Sequence, residues 1–327
     1  MKVAVLGCGA IGGLILGYLS KEGKDIIGIV RDYQKDPLSK EGLNIEGVRA
    51  SQKIKVKVDT KLKEKVDLAI LAVKTNDLEG IVRTNLGFLK DAFILSTQNG
   101  VEADYLLSKF FPRKKIVTGI VMFGATFYPP NKIVHNFEGG FVLGNIYGAQ
   151  VEKLDEIVEL LSAAFKVAVS DKIKGAKYLK LFINLNNCIP AILGVSMQEA
   201  FSDLDLARLA INLNKEAYKI ITKAAIGLES LPDYPKERID NLVNMPSEQA
   251  AAAFSKIMAG LSKEPLYGSI LQSIKYGRKS EIDYINGEIV HLAQTLNLDA
   301  SLNKRMVELV HKVEETNKFL SKEELFS

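Results

Sequence analysis

The first hundred residues alternate short, nearly continuous apolar runs with longer segments of helical spacing. Runs of this kind are typical of strands that are buried on both faces of a parallel sheet. Four of them predict strands: KVAVLG (2–7), DIIGIV (25–30), DLAILAV (67–73) and AFILSTQ (92–98). A helix-length segment over 11–24 separates the first two runs and ends in a glycine-containing stop. This order predicts a βαβ unit.

The strand-like pattern continues to about residue 171. Further strands are predicted within 43–58, 116–130, 133–146 and 165–171. The first of these segments alternates more strictly than the others, which predicts a small antiparallel excursion. Pro129-Pro130 and Gly139-Gly140 mark turns between the later strands.

The pattern changes beyond residue 172, where the apolar positions recur at helical spacing. A chain of 327 residues is long enough for two domains. The sequence therefore predicts an α/β domain over 1–170 and an all-helical domain over 171–327.

Composition and charge narrow the class of function. The chain is 47% hydrophobic and 25% charged, with a formal net charge of +4. Its lysines are dispersed among acidic residues, so no nucleic-acid-binding surface is predicted. No apolar run reaches the roughly 18 residues of a membrane helix, and the N-terminus lacks the charged region of a signal peptide. We expect a cytoplasmic protein with no membrane partner.

Few residues in the chain are suited to redox or metal chemistry. Cys8 and Cys188 lie far apart in unrelated segments, so no disulfide framework is expected and a reducing compartment fits. His135, His291 and His311 have no ligand-like spacing, which argues against a protein-built metal site.

The turn after the first predicted strand, GCGAIG over 7–12, has the pattern G-x-G-x-x-G. The first glycine permits the tight turn, the second lets backbone approach a pyrophosphate, and the third lets helix and strand pack closely. The following helix N-terminus offers free N–H groups and a positive dipole end to phosphates. Within a βαβ unit, the motif predicts a Rossmann-type dinucleotide-binding domain. A glycine turn without a ligand is the alternative.

The end of the second strand selects between NAD and NADP. An acidic residue there binds a ribose 2′-hydroxyl, whereas an arginine accommodates a 2′-phosphate. This chain has both types, at Arg31 and Asp32. Arg31 directly follows the apolar run and is nearest the strand tip, which favours NADP over NAD. In the alternative interpretation both are solvated loop charges.

Polar residues follow two further strands. Lys74 comes after the third apolar run, and Gln98, Asn99 and Gly100 come after the fourth. Ligands of open α/β sheets bind outside the carboxyl ends of the strands. Because those ends meet at one edge of the sheet, a shared site is predicted there.

A segment of the helical half, 177–194, carries polar residues on one stripe. With 3.6 residues per turn, Asn184 lies about 40° from Lys180, Asn187 about 20° the other way and Cys188 about 80° away. The flanking residues are apolar, which indicates a substantially buried helix. Buried polar groups need partners, and a substrate is one candidate. An exposed stripe is the alternative.

A second polar cluster lies within 267–287. Ser269 and Ser273 are four residues apart and share a helix face. Glu281 follows a break at Gly277, in the first turn of the next helix. In a purely structural alternative, Ser280 caps that helix and Glu281 complements its dipole.

Together these motifs resemble the ketopantoate reductase (2-dehydropantoate 2-reductase) family over nearly the whole chain. The motifs that carry the resemblance are the N-terminal glycine turn, Lys74 in VKT, Gln98-Asn99-Gly100, Lys180-x-x-x-Asn184, and Ser269 twelve residues before Glu281 in SEIDYING. The resemblance implies a Rossmann-type N-terminal domain and a helical C-terminal domain similar to that of 6-phosphogluconate dehydrogenases. It also implies NADPH-dependent reduction of ketopantoate to pantoate, on the route to pantothenate and coenzyme A.

The resemblance further implies roles for individual residues. Lys180 would be the general acid that protonates the C2 carbonyl oxygen and stabilises the alkoxide. Glu281 would pair with this lysine and with the substrate hydroxyl. The implied substrate-binding residues are Asn99, Asn184, Asn187 and Ser269. The implied cofactor-binding residues are Gly7, Gly9, Ala10, Ile11, Gly12, Arg31, Lys74, Asn99 and Glu281.

Two positions on the substrate side depart from the family pattern. The family commonly has a second asparagine eight residues after the lysine, where this chain has Cys188 with Asn187 beside it. It often has an aspartate four residues after the substrate serine, where this chain has Ser273. A related NAD(P)H-dependent reductase of another 2-oxo or β-hydroxy acid is therefore an alternative. A protein that binds the nucleotide without turnover is a third.

The oligomeric state stays open at the level of sequence. Apolar helical faces such as 207–227 serve either as intramolecular core or as a homodimer interface. The expected ligand besides the cofactor is a small 2-oxo acid.

Overall fold

The computed structural model describes residues 1–260 and 264–327, and their contacts divide into two compact units. The first unit contains 1–98 and 102–174, and the second contains 99–101 and 175–327. The predicted domains placed Asn99 with the α/β half, whereas the structure groups it with the helical half. The reason is a pair of long-range contacts made by residues 99 and 100, which are described with the site.

Twelve strands lie in the described residues of the first unit. They are β1 (Val3–Leu6), β2 (Ile26–Ile29), β3 (Leu43–Gly47), β4 (Gln52–Ile54), β5 (Val58–Asp59), β6 (Leu68–Leu71), β7 (Phe93–Ser96), β8 (Ile116–Val121), β9 (Gly124–Tyr128), β10 (Lys132–Phe137), β11 (Gly140–Gly144) and β12 (Lys166–Val169). The larger sheet has the order β12-β11-β8-β7-β6-β1-β2-β5, and the smaller has the order β4-β3-β10-β9. All neighbouring strands of the larger sheet are parallel except β8 and β11.

Both faces of the larger sheet are buried, as the apolar runs predicted. In β1, Val3 and Val5 belong to one core cluster, and Ala4 and Leu6 belong to the cluster on the opposite face. All four side chains are fully buried. The helices of this unit are α1 (Ala10–Lys21), α2 (Asp32–Glu41), α3 (Thr75–Leu89), α4 (Glu102–Leu107) and α5 (Leu154–Ser162). The structure confirms an α/β unit with a largely parallel sheet.

The smaller sheet differs from the predicted antiparallel excursion. Strands β3 and β4 are antiparallel, as expected, but β3 also pairs in parallel with β10, which lies far along the chain. The predicted strand segments 116–130 and 133–146 each divide into two strands that belong to different sheets. Helix α1 contacts strands of both sheets, which explains why it is buried on nearly all sides.

The second unit is helical, as predicted. Its helices in the described residues are α6 (Ile173–Leu185), α7 (Cys188–Leu193), α8 (Met197–Ser202), α9 (Leu204–Lys223), α10 (Glu237–Asn244), α11 (Ser247–Ala259), α12 (Ser269–Lys275), α13 (Asn286–Thr295), α14 (Ser301–Thr316) and α15 (Lys322–Phe326). The long α9 packs against α8, α10, α11, α13 and α14. Its apolar residues, including Ile211 and Ile220, are buried by these helices. This face is therefore intramolecular core.

We predict that Phe141→Ala will lower the free energy of unfolding by about 3–5 kcal/mol, because it leaves a cavity in a close-packed aromatic cluster. Phe141 is fully buried, and its ring centroid lies 5.4 Å from that of Phe123 and 5.3 Å from that of Phe165. Urea titration would measure the change. Val169→Ala is the control, because Val169 is exposed on β12, and its effect should stay within about 0.5 kcal/mol. Equal effects of the two substitutions would contradict this description of the core.

Candidate active site

The glycine turn between β1 and α1 depends on two close backbone approaches. Gly7 has φ +97°, and a Cβ there would lie 2.8 Å from the backbone nitrogen of Val73. A Cβ at Gly12 would collide with the Gly7 carbonyl oxygen. At Gly9, by contrast, a Cβ would meet no atom within 4 Å. The first and third glycines of the motif are therefore required by the fold, whereas the space beside Gly9 is left open.

The N-terminus of α1 has no side-chain cap. Gly9 is the N-cap residue, and the first helical bond runs from the Gly13 N–H to the Gly9 carbonyl at 2.9 Å. The N–H groups of Ala10, Ile11 and Gly12 lie in the first turn, where a helix has no internal acceptors. Together with the open space at Gly9, this backbone fits the phosphates of a dinucleotide.

Cys8, inside this turn, is a packing residue. Its side chain is 5% exposed, and burial raises the pKa of its thiol to about 12. Such a thiol is inert at neutral pH.

Arg31 lies where β2 ends and α2 begins, as predicted. Its guanidinium is more than half exposed and lies 3.7 Å from the Asp77 carboxylate. The neighbouring Gln34 was missed by the sequence analysis. Its amide nitrogen donates to the Cys8 carbonyl at 3.1 Å, and its amide oxygen accepts from the Arg31 N–H at 3.3 Å. Gln34 thus joins the glycine turn to the tip of β2. The sequence carries no capping-box signal for Gln34, because the residue three positions earlier is Arg31 and not Ser, Thr, Asp or Asn.

The two other strand ends differ from each other. Lys74 is half-buried at the N-cap position of α3, after β6. Gln98 is buried, and its amide nitrogen donates to the carbonyls of Leu71 and Val73, each at 2.8 Å. Gln98 therefore holds the ends of β6 and β7 together, which is a structural use of this polar residue.

In the second unit, Lys180 and Asn184 lie one turn apart on α6, as the spacing predicted. Both are half-buried. The Asn184 side-chain nitrogen donates to the side-chain oxygen of Asn99 at 3.2 Å. Asn99, which follows β7, therefore lies within hydrogen-bond distance of the polar stripe of α6.

Burial lowers the pKa of Lys180 to about 8. Removal from water disfavours a charged ammonium, and no other cause contributes to the shift. Within the described part of the chain, this ammonium has neither a hydrogen bond nor an ion pair, so it is not bonded to Glu281 in this structure. Perturbed lysines of this kind occur at functional sites, where they transfer protons or bind anions.

The predicted continuation of the stripe from Lys180 and Asn184 to Asn187 needs correction, because α6 ends at Leu185. A tighter turn follows, in which the Asn187 N–H donates to the Asn184 carbonyl at 3.0 Å. Helical periodicity therefore does not set the directions of residues 187 and 188. Cys188 is fully buried, its thiol donates to the Leu185 carbonyl at 3.1 Å, and burial raises its pKa to about 12.

Asn187 instead lies beside the start of α12. It is 7% exposed, and a Cβ at Gly268 would lie 3.0 Å from its Cγ atom. Gly268 immediately precedes Ser269, the half-buried first residue of α12. The hydroxyl of Ser273 donates to the Ser269 carbonyl at 2.7 Å, within the same helix. Asn187 and Ser269 are thus brought into one neighbourhood.

Glu281 is 7% exposed and precedes a short 3-10 helix, Ile282–Tyr284. The sequence placed Glu281 in the first turn of a helix, with Ser280 as an alternative cap, but Glu281 is itself the N-cap residue and the next α-helix begins only at Asn286. The Ser280 hydroxyl accepts from the Ile282 N–H at 3.3 Å. This turn also contacts the 99–101 segment, because a Cβ at Gly100 would collide with the Tyr284 carbonyl oxygen. The segment that bears Asn99 therefore lies against both α6 and the turn that bears Glu281.

Asn286, also missed from the sequence, joins this turn to α6. It is fully buried at the start of α13, and its amide nitrogen donates to the Leu185 carbonyl at 3.2 Å and to the Asn303 side chain at 3.0 Å. The bond to Leu185 satisfies a carbonyl at the C-terminal end of α6. The sequence signal for Asn286 is weak, because DYING is a mixed polar and apolar stretch.

Two other kinds of site were sought in residues 1–260 and 264–327. No helix there is long and apolar enough to span a membrane. No group of three or more His, Cys, Asp or Glu side chains there is placed to hold a metal ion.

Comparison with known proteins assigns a family to this arrangement. The family model for ketopantoate reductase PanE/ApbA matches residues 3–148, and the model for its C-terminal domain matches 172–314. The chain is 30% identical over 307 residues to the 2-dehydropantoate 2-reductase of Pyrococcus horikoshii, which covers 93% of this chain and 94% of that protein. The chain belongs to the ketopantoate reductase family. As a ketopantoate reductase family member it is an oxidoreductase.

Other relatives agree with the ketopantoate reductase family. The 2-dehydropantoate 2-reductase of Archaeoglobus fulgidus is 24% identical over 96% of this chain and 98% of its own length. A PanE/ApbA family ketopantoate reductase from Ralstonia eutropha JMP134 has a TM-score of 0.81 at 23% identity, over 97% of this chain and 99% of that one. D-mandelate dehydrogenase in complex with NADH and anilino(oxo)acetate has a TM-score of 0.82 at 23% identity, with the same coverage. At these identities the two solved structures show a common fold.

We predict that Gly9→Val and Gly12→Val will have different effects. Gly12→Val forces a side chain into the Gly7 carbonyl and should lower the thermal midpoint by several degrees. Gly9→Val enters open space, so it should leave the thermal midpoint nearly unchanged and weaken dinucleotide binding at least about tenfold. Thermal unfolding and fluorescence titration with NADPH would measure these effects. Unchanged NADPH affinity in a folded Gly9→Val protein would contradict the role of this open space.

Proposed function

We propose that the chain reduces 2-dehydropantoate (ketopantoate) to pantoate with NADPH, in the biosynthesis of pantothenate and coenzyme A, and that Lys180 is its general acid. The observation that carries the proposal is the Lys180 ammonium, which is half-buried, has a pKa lowered to about 8 and lies one turn from the Asn99–Asn184 pair. The relatives named 2-dehydropantoate 2-reductase support this choice of substrate.

The chemistry requires a hydride at C2 and a proton at the carbonyl oxygen. Bound NADPH supplies the hydride. Lys180 supplies the proton, and its ammonium stabilises the negative charge that develops on the oxygen. Because burial lowers its pKa, Lys180 is still mostly protonated at neutral pH but is a stronger acid than an exposed lysine. That combination suits a general acid.

The remaining polar residues of the second unit bind and orient the substrate. The hydrogen bond between Asn99 and Asn184 fixes the orientation of both amides. Asn187 and Ser269 supply further polar contacts, with Ser269 directed to the substrate carboxylate. Glu281 pairs with Lys180 and the substrate hydroxyl in the ligand-bound enzyme and also contacts the cofactor.

In the first unit, the backbone of the glycine turn holds the cofactor. Its uncapped helix end and the open space at Gly9 support a pyrophosphate there. The residues assigned to this contact are Gly7, Gly9, Ala10, Ile11 and Gly12. Arg31 binds the 2′-phosphate, and Lys74 contacts the cofactor. From the second unit, Asn99 contacts the nicotinamide ribose of the cofactor.

We predict that Lys180→Ala will lower kcat by at least about a hundredfold, because the proton donor is lost. In the unsubstituted enzyme, kcat should fall as pH rises through about 8, since Lys180 loses its proton there. Both are measured as NADPH oxidation with 2-dehydropantoate. Lys174→Ala is the matched control, because Lys174 is exposed on the same helix. Turnover by Lys180→Ala at the unsubstituted rate would overturn the proposal.

We predict that Arg31→Ala will weaken NADPH binding about 10- to 100-fold and NADH binding hardly at all. The lost contacts are charge-assisted hydrogen bonds to a phosphate that NADH lacks. Arg83→Ala is the control, since Arg83 is exposed and pairs with Glu79 on α3. Titration with each dinucleotide measures the affinities, and an equal loss for both would refute the 2′-phosphate role.

A second candidate is a reductase of another 2-oxo or β-hydroxy acid. Cys188 favours it, because this residue is fully buried and offers no amide where the family commonly has asparagine. The Ser273 hydroxyl donates within its own helix, which adds to this difference on the substrate side. Comparing kcat/KM across a panel of 2-oxo acids separates the candidates. A clear preference for 2-dehydropantoate would eliminate the second.

A further inference from the structure

Two side chains of α14, His311 and Glu314, contact the turn that bears Glu281. One carboxylate oxygen of Glu314 accepts from the Ser280 N–H at 2.7 Å, and the other lies 3.3 Å from Nδ1 of His311. Nε2 of His311 lies 2.9 Å from the Asp283 carboxylate. We refer to His311 and Glu314, with their contacts to Ser280 and Asp283, as the α14 clamp.

The clamp anchors the chain on both sides of Glu281. Ser280 immediately precedes this residue, and Asp283 follows it by two positions. Glu281 is itself 7% exposed, so a shift of this short turn would move its carboxylate within a buried setting. The clamp lies outside the residues for which the preceding sections propose contacts to substrate or cofactor.

The contacts of the clamp are of a strong type. The Glu314 side chain is 9% exposed, and a buried carboxylate that accepts a backbone N–H forms a charge-assisted hydrogen bond. Both ring nitrogens of His311 face carboxylates, which can only accept when ionised, so the imidazolium can donate to both. Burial lowers the pKa of His311, but the hydrogen bonds and charges of Asp283 and Glu314 outweigh it and raise the pKa overall.

We propose that His311 and Glu314 are positioning residues that hold the Glu281 carboxylate in its productive place. This inference rests on the proposed role of Glu281 in the reaction. Small displacements of a reacting group cause large losses of rate, whereas substrate binding by other residues is less affected.

The proposal predicts a loss of kcat with little change in KM. Glu314→Ala should lower kcat about tenfold and change KM for 2-dehydropantoate less than about threefold. Glu314→Gln should retain kcat within about threefold, because its amide oxygen still accepts from the Ser280 N–H. Glu308→Ala is the matched control, since Glu308 is exposed on the same helix and pairs only loosely with Lys304, at 3.9 Å. Its kcat should equal that of the unsubstituted enzyme.

A double-mutant cycle tests whether the clamp acts through Glu281. In a Glu281→Ala background, Glu314→Ala should change kcat by less than about twofold, because the group being positioned is gone. Thermal unfolding of each variant confirms that the folded protein is compared. If Glu314→Ala does not fold, Asp283→Ala serves in its place, because it removes the more exposed contact of the clamp, between Asp283 and His311. Its kcat should fall about threefold, again only when Glu281 is present.

The outcomes separate the two proposals. A full tenfold loss from Glu314→Ala in the Glu281→Ala background, or a threefold loss from Asp283→Ala there, would overturn the clamp proposal alone. An unsubstituted enzyme that turns over no 2-oxo acid would overturn the proposed function and the clamp together. A Glu281→Ala variant with unchanged kcat would overturn the role proposed for Glu281 and, with it, the clamp.

Discussion

The desolvation of the Lys180 ammonium on α6 is the constraint from which the chemistry proposed for the second unit follows. Moving an ammonium out of water without an anionic partner costs free energy and disfavours its charged form. Desolvation alone accounts for its lowered pKa, so the acid strength of this group is a property of where α6 lies. The elements that pack around α6 therefore determine both the position and the chemistry of the lysine.

Hydrogen bonds between buried polar groups join several of the elements around α6. A buried amide that loses its hydrogen-bond partner is costly, so such bonds specify which groups of neighbouring elements meet. Asn286 bonds the end of α6, and its partner Asn303 in turn donates to Glu216 at 2.8 Å. Glu216 also accepts from the Leu302 N–H, in the first turn of α14. One continuous polar network thus joins α6, α9, α13 and α14.

The first unit meets a different constraint, which is close backbone approach. The glycine turn contains positions of two kinds. At Gly7 and Gly12 any side chain would collide with neighbouring backbone, whereas at Gly9 a side chain would meet open space. The fold needs the first kind, and the second leaves room for the phosphates of the proposed cofactor. Gln34 then ties this turn to the tip of β2, so that the glycine turn and the Arg31 position are held by one side chain. Positioning by backbone and amide groups is thus common to both units.

The sequence by itself determined the βαβ unit, the glycine turn, the helical second half and the pairing of Lys180 with Asn184 on one face, because each follows from local periodicity. Only the tertiary structure decided the pairing of β3 with β10 and the contact of Asn99 with Asn184. It also ended α6 at Leu185, so that Asn187 lies beyond the helix on which the sequence had placed it. These features depend on partners far away in the chain, such as Asn286 for the end of α6. A local pattern of apolar and polar residues shows that a buried amide needs a partner, but the packing of the whole chain determines which group it meets.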